Sequence, residues 1–137
     1  MNIYLKCLIT LMLFTSCHPK PVVSIAETLE IGLNSRYSEY VLKLNGAFNG
    51  DSTALHEFLT YKNLYDGAAF EHGWILLELM TTMGDKAFAD ATAKLSKQQL
   101  DELSNYLKGG LDIHTEGDQL FKRYPLTFKL LGLNLSE

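Results

Sequence analysis

The sequence A-A-F-E-H-G-W-I-L-L-E-L-M-T-T-M-G, residues 68–84, is apolar around most of the circumference of the helix it would form. At 100° per residue, Glu71, Glu78 and Thr82 fall on one narrow polar strip, with Ile75 between them. A helix with so little polar surface must be covered by protein on nearly all sides. The stretch therefore predicts the central helix of a helical domain.

The segments on both sides of this stretch carry apolar residues at spacings of three and four, which is the helical period. Two of them begin with the pattern of a capping box, Ser24 with Glu27 and Ser96 with Gln99. Asp51 or Ser52, after the turn at 48–50, is a suitable cap for a further helix. These start signals predict helices before and after the central one.

Stop signals divide the chain into short helices. The pair Gly109-Gly110 predicts the end of one helix, and breaks are expected near Asn34 and before Pro125. Gly73, without a Cβ, would instead allow a neighbouring helix to approach the central one closely. Since no segment alternates like a strand for more than about five residues, the sequence predicts an all-α domain, a compact bundle of five to seven short helices.

A weak internal repeat offers an alternative arrangement. The segments that begin at residues 51 and 96 both open with a cap and continue as an amphipathic helix, 45 residues apart. Helical-hairpin repeats of the HEAT type have a period of about 40 to 47 residues. Stacked HEAT-like hairpins are therefore the alternative to a plain bundle.

The N-terminal residues are arranged like a signal peptide: Lys6 is followed by an apolar run from Cys7 to Phe14. This run is shorter than the roughly 20 residues that a membrane-spanning helix needs. The following F-T-S-C, residues 14–17, resembles a bacterial lipobox, in which a large apolar residue and two small ones precede a cysteine. The alternative is an uncleaved helix that ends in a buried Cys17.

The resemblance implies that residues 1–16 are removed and that Cys17 becomes the lipidated first residue. Residues 17–23, with Pro19 and Pro21, would form an extended tether, and residues 24–137 would form the helical domain. It also implies a bacterial envelope protein that faces the periplasm. His18 stands where some inner-membrane lipoproteins carry aspartate, so the outer membrane is favoured.

Charge and cysteine content narrow the possible functions further. The chain has 12 Lys and Arg, 16 Asp and Glu, and two cysteines. Removal of residues 1–16 takes away Lys6 and Cys7, which leaves a net charge of about −5 and lipidated Cys17. The acidic balance argues against nucleic-acid binding and against electrostatic adhesion to anionic lipid. A chain without a free thiol has neither an internal disulfide nor a catalytic cysteine.

The central helix supplies the candidate binding residues. Trp74 lies at the edge of the polar strip beside Glu71 and Glu78, and Tyr65 precedes the helix. Tyrosine and tryptophan are favoured where a surface meets a protein partner, so these four residues are the candidate binding site. The alternative is that the aromatic rings are edges of the core.

His72 falls on the apolar side of the same helix, where a buried imidazole requires a hydrogen-bond partner. A structural core histidine is therefore expected. The functional alternative is an acid and base site that uses Glu71, His72 and Glu78.

A second polar cluster follows the helix that starts at Ser96. Asp112 to Asp118 matches the first positions of a calcium loop, but the closing position is Arg123, and a positive charge cannot ligate calcium. A zinc site from scattered histidines is conceivable, although no two histidines are three or four residues apart. No motif for a cofactor, phosphate or serine nucleophile is present in the sequence, so neither a metal nor a cofactor is expected.

These observations favour a membrane-anchored periplasmic lipoprotein that acts as a non-catalytic protein-binding module. Its small, acidic, helical character is similar to that of immunity or envelope-adaptor proteins, an analogy of class alone. The alternative is a small metal-binding protein or hydrolytic enzyme that uses Glu71, His72 and Glu78 or the loop from Asp112 to Asp118. The sequence leaves the oligomeric state and the partner open.

Overall fold

The computed structural model describes residues 19–113 and 117–134. The helices are α1 (Glu27–Leu33), α2 (Tyr37–Phe48), α3 (Ser52–Leu59), α4 (Asp66–Met83), α5 (Asp85–Thr92), α6 (Lys97–Asp112), α7 (Gly117–Arg123) and α8 (Pro125–Leu130). A 3-10 turn, Asn34–Arg36, joins α1 to α2. The described residues contain no strand, and the predicted compact all-α fold is confirmed.

The two breaks that the sequence indicated are both present. Asn34 has a positive φ of 48°, which ends α1 before the 3-10 turn. Pro125 occupies the first turn of α8, where its missing N–H and fixed φ are tolerated. Because both breaks occur, the described residues form eight α-helical segments, one more than the upper end of the predicted range.

The 18-residue helix α4 lies at the centre of the bundle, as the sequence predicts. It packs most extensively against α6 and also contacts α1, while α2 pairs with α3, and α5 with α8. In a HEAT-like array each hairpin would contact its sequence neighbours. Here one helix is shared by partners from both sides of it in the chain, which is a bundle arrangement.

Glycines set the distance between α4 and α6. A Cβ on Gly73 would lie 2.7 Å from the Gly110 nitrogen and still closer to the Tyr106 carbonyl oxygen. The close approach expected at Gly73 is therefore confirmed. The predicted helix end at Gly109-Gly110 is wrong, because α6 continues to Asp112 and Gly110 fits against the backbone of α4.

Two of the three predicted helix starts are confirmed. The Ser96 hydroxyl accepts from the Gln99 N–H and the Gln99 side chain accepts from the Ser96 N–H, which completes a capping box. Asp51 caps α3 by accepting from the Ala54 N–H at 2.8 Å.

The predicted capping box at Ser24 is wrong. Helix α1 begins at Glu27, after an N-cap residue, Ala26, with extended backbone and no side-chain cap. The chain before Glu27 is not helical because Val23 and Ile25 both pack against the core. Side chains two residues apart point to the same side in an extended chain and to different faces in a helix.

Asp85 attaches the C-terminal helix to the bundle. Its carboxylate accepts hydrogen bonds from the backbone N–H groups of Leu126 and Thr127, both at 2.9 Å. The Thr127 hydroxyl donates to the Asp85 carbonyl oxygen at 3.3 Å. Asp85 therefore caps α8 from another part of the chain.

We expect Asp85→Ala to lower the free energy of unfolding by about 1 to 2 kcal/mol, since two N–H groups at the start of α8 lose their acceptor. Urea denaturation followed by circular dichroism measures the change. Asp90→Ala is the matched control, because exposed Asp90 forms an i, i+4 ion pair with Lys86 that is worth about 0.5 kcal/mol or less. Equal losses in the two variants would contradict the capping role.

Candidate functional site

Three of the four candidate binding residues lie along one side of α4. Glu71, Trp74 and Glu78 are spaced three and four residues apart, and all three are half-buried. The Trp74 Nε1–H donates to the Glu78 carboxylate at 3.2 Å, so the ring is held beside the acid. Ile75, which the helical projection placed between the two glutamates, is buried instead, at 1% exposure.

Trp74 and Glu78 belong to a groove of about 360 Å³. We call it the Trp74 groove and define it by its lining residues, which are Val23, Phe48, Trp74, Leu77, Glu78, Thr81 and Thr82. The lining combines aliphatic and aromatic side chains with two hydroxyl groups and one carboxylate. Such a surface can accept an apolar group while polar contacts form at its edge.

Tyr65, the fourth candidate, lies away from the groove. It is the N-cap residue of α4 and is 71% exposed. Nine residues separate it from Trp74, which corresponds to about 14 Å along the helix axis. Phe70, which the sequence reasoning missed, is 40% exposed on the same half of α4. Tyr65 is therefore separated from the other three candidates, which follow one another within about two turns of α4.

His72 is fully buried, as expected for a core histidine, and it has a hydrogen-bond partner. Its Nδ1 lies 2.8 Å from the Tyr40 hydroxyl, and the rings of Phe58, Tyr61 and Tyr106 surround it. Burial lowers the pKa of His72 to about 3 and raises the pKa of Tyr40, so both groups are neutral at pH 7. The Tyr40 hydroxyl and His72 Nδ1 satisfy each other in this hydrogen bond, and the tautomer of the imidazole sets which of the two donates.

The remaining polar atoms of this cluster are enclosed by aromatic rings. His72 Nε2 and the Tyr61 hydroxyl are buried without a hydrogen-bond partner among the described residues. The Tyr106 ring stands nearly perpendicular to the imidazole, at 87° and 4.9 Å between centroids. His72 Nε2 is therefore an imperfectly satisfied polar atom in the core.

The alternative acid and base site is not assembled on α4. Neither ring nitrogen of His72 bonds to Glu71 or Glu78, because His72 points into the core and the glutamates lie on the opposite, partly exposed side. Within residues 19–113 and 117–134, no group of three potential metal ligands is close enough to hold an ion.

The predicted polar loop from Asp112 to Asp118 is shorter than the sequence suggested. Asp112 is the last residue of α6, and Gly117 begins α7, so both ends of the proposed calcium loop are helical. Residues 114–116 lie outside the described residues. The same holds for residues 1–18, which include the signal peptide and Cys17. None of the helices in the described part has the length and apolar composition needed to cross a bilayer.

Asn45 makes two long-range hydrogen bonds that sequence reasoning did not predict. Its Oδ1 accepts from the Val22 N–H and its Nδ2 donates to the Lys20 carbonyl oxygen, both at 2.8 Å. The segment from Lys20 to Val22, within the range predicted to be an extended tether, is thus attached to α2. An asparagine in the middle of a helix is an unfavourable choice for the helix itself, and this was the only available signal.

Comparisons with known proteins give no family for this chain. No protein-family model matches it, and no curated protein and no solved structure is significantly similar to it. Functional inference therefore depends on the residues alone.

Proposed function

We propose that this chain is a bacterial lipoprotein whose helical domain binds a protein partner at the periplasmic face of the envelope and catalyses no reaction. The observation that carries the proposal is the F-T-S-C sequence at 14–17, directly after a short apolar run. Removal of residues 1–16 would leave Cys17 with two or more acyl chains. Two chains hold a protein on a membrane durably, since each buried methylene contributes about 0.8 kcal/mol.

The described tether agrees with this route. Residues from Pro19 to Ala26 precede α1 without helical structure, so the folded domain starts only a few residues after Cys17. The resemblance favours the outer membrane because His18, and not aspartate, follows the cysteine.

The exposed aromatic residues at the start of α4 support the binding role. Tyr65 is 71% and Phe70 is 40% exposed, on a domain that otherwise buries most of its large apolar side chains. Exposed tyrosine rings make large contact areas at a low entropic cost. We place the partner at this end of α4, which we call the Tyr65 end and define by Tyr65 and Phe70.

The anchor is tested by Cys17→Ser in the native host. We expect the wild type in the membrane fraction, with a mass that fits a lipidated chain starting at residue 17. The serine variant should accumulate as the uncut precursor, because the lipid-transferring step requires a thiol. Cys7→Ser is the matched control and should be processed normally. A Cys17→Ser protein that still matures and fractionates with membranes would refute the proposal.

The partner surface is tested by photo-crosslinking in intact cells. A crosslinking amino acid at Tyr65 and, separately, at Phe70 should give adducts of one common mass. Lys86, with an 81% exposed side chain in the first turn of α5, is the control position and should not give this adduct. The same adduct from all three positions, or none from Tyr65 and Phe70, would contradict binding at the Tyr65 end.

A further inference from the structure

The two hydrogen bonds of Asn45 fix the backbone direction of the tether. The side-chain amide accepts from Val22 and donates to Lys20, as a peptide group of a neighbouring strand would do. Both bonds are 2.8 Å long. Asn45 lies on α2, and the nearby residues Leu44 and Ala47 of the same helix are buried in the core. The tether is therefore bound to a rigid part of the domain, and we call this contact the Asn45 clamp.

The clamp shortens the free part of the tether. Three residue steps separate Cys17 from Lys20, and three steps of fully extended chain span at most about 11 Å. Without the clamp the tether would be free as far as Val23, which packs against the core, and would span at most about 22 Å by the same measure. With the clamp closed, a lipid on Cys17 would hold the Asn45 side of the domain against the membrane–water interface.

The surface beside the clamp has the composition of an interfacial contact. Phe48 lies three residues after Asn45 on α2 and lines the Trp74 groove together with Val23. Val22, within the clamped segment, is 53% exposed. Tryptophan is enriched where proteins meet the boundary between headgroups and acyl chains, because its ring is apolar and its N–H is polar. Groove hydroxyls and the Glu78 carboxylate supply polar contacts at the headgroup level.

The net charge of the mature chain argues against adsorption of the domain to lipid by electrostatic attraction alone. The mature chain carries a net charge of about −5, which does not favour binding to anionic lipid. The surface would meet the bilayer only when the anchor and the clamp present it there. Tyr65, about 14 Å along α4 from Trp74, would then lie farther from the membrane.

We infer that the Trp74 groove forms the membrane-facing surface of the lipidated protein, and that the Asn45 clamp orients the domain on a lipid bilayer through this surface. The inference rests on the proposed lipidation of Cys17. It assigns the lipid contact to the Trp74 groove and the protein contact to the exposed rings near the start of α4, of which Phe70 lies about 6 Å along the helix axis before Trp74.

Trp74 is the only tryptophan of the chain, so intrinsic fluorescence reports on the groove alone. The lipidated full-length mature protein is reconstituted in vesicles of phosphatidylethanolamine and phosphatidylglycerol, with or without acyl chains brominated near the headgroup. Bromine quenches tryptophan emission over short distances. We expect strong quenching for the wild type, and a several-fold smaller loss of emission for Asn45→Ala, in which the free tether is longer.

Asn105→Ala is the matched control, because Asn105 is exposed on α6, and it should be quenched like the wild type. Thermal unfolding of each variant confirms that the domain is folded. Sedimentation with the vesicles distinguishes the proposed lipid anchor from the proposed membrane-facing surface. Protein that does not sediment contradicts the anchor and therefore also the membrane-facing surface, which depends on it. Protein that sediments with unquenched Trp74 overturns the membrane-facing surface alone, and equal quenching of Asn45→Ala and wild type overturns the clamp.

Discussion

Gly73→Ala is expected to destabilise the domain by about 3 kcal/mol, or to prevent folding, although alanine is the better helix former by about 1 kcal/mol. The added methyl group would overlap the Tyr106 carbonyl oxygen and come within 2.7 Å of the Gly110 nitrogen. Both atoms belong to the backbone of α6, so no rotamer change can make room. The α4 and α6 helices would have to separate, which removes buried contacts along their whole interface.

Gly67→Ala on the same helix is the control. A Cβ at Gly67 would meet Thr28 at 3.6 Å, an ordinary van der Waals distance, and Gly67 has no unusual φ. We expect unchanged or slightly higher stability, because alanine reduces the entropy of the unfolded chain. Urea denaturation of both variants measures the difference. Similar stability of the two variants would show that the helix contact at Gly73 is not rigid.

The sequence was sufficient for the features that depend on local periodicity. The central helix, the buried side of α4 with His72, and the caps at Asp51 and Ser96 all follow from residues a few positions apart. Local patterns determine these features because helical spacing alone brings the participating groups together.

The features that the sequence did not predict depend on contacts between distant residues. Gly110 looks like a helix stop, and only its contact with Gly73 explains why α6 continues through it. The Asn45 clamp joins groups more than 20 residues apart, and no spacing rule indicates such a pair. Ile75 was placed on a polar strip by projection, yet it is buried because other helices cover that position.

The candidate site shows the same limit. Helical spacing correctly placed Glu71, Trp74 and Glu78 on one side of α4, where Trp74 bonds to Glu78. It could not reveal that Val23 and Phe48, from other segments, complete a groove around Trp74. Nor could it reveal that Tyr65 lies outside this groove.

The stability of the domain is expected to fall in mild acid because of His72. Its pKa is lowered to about 3 in the folded chain by burial, compared with 6.5 for an unburied histidine. Below pH 6.5 the His72 imidazole is protonated in the unfolded chain, whereas in the folded chain it stays neutral down to about pH 3. The contribution of the neutral, buried His72 to the free energy of unfolding is fully present above pH 6.5 and decreases as the pH falls towards 3. Between about pH 7.5 and about pH 5, His72 accounts for a loss of about 2 kcal/mol.

No charged side chain forms a hydrogen bond or ring contact with His72 among the described residues; its recorded contacts are with the aromatic side chains of Tyr40, Phe58, Tyr61 and Tyr106. We therefore expect the double variant Tyr40→Phe, His72→Phe to lose this part of the pH dependence. Replacing both members of the buried Tyr40–His72 hydrogen bond by apolar rings avoids an unpaired hydroxyl, so the variant should fold. His72→Ala, which leaves a cavity and an unpaired Tyr40 hydroxyl, should lose about 2 kcal/mol or more at neutral pH.

Urea denaturation at the two pH values measures these effects, and the comparison with wild type cancels the titration of surface carboxylates. His56→Ala is the control, since exposed His56 on α3 lies outside the core and its removal should leave the steep pH dependence in place. If the double variant and the wild type lose the same stability between the two pH values, the imidazole is already solvated in the folded protein. In that case the aromatic cluster around His72 is open to water, and its role as a closed core is wrong.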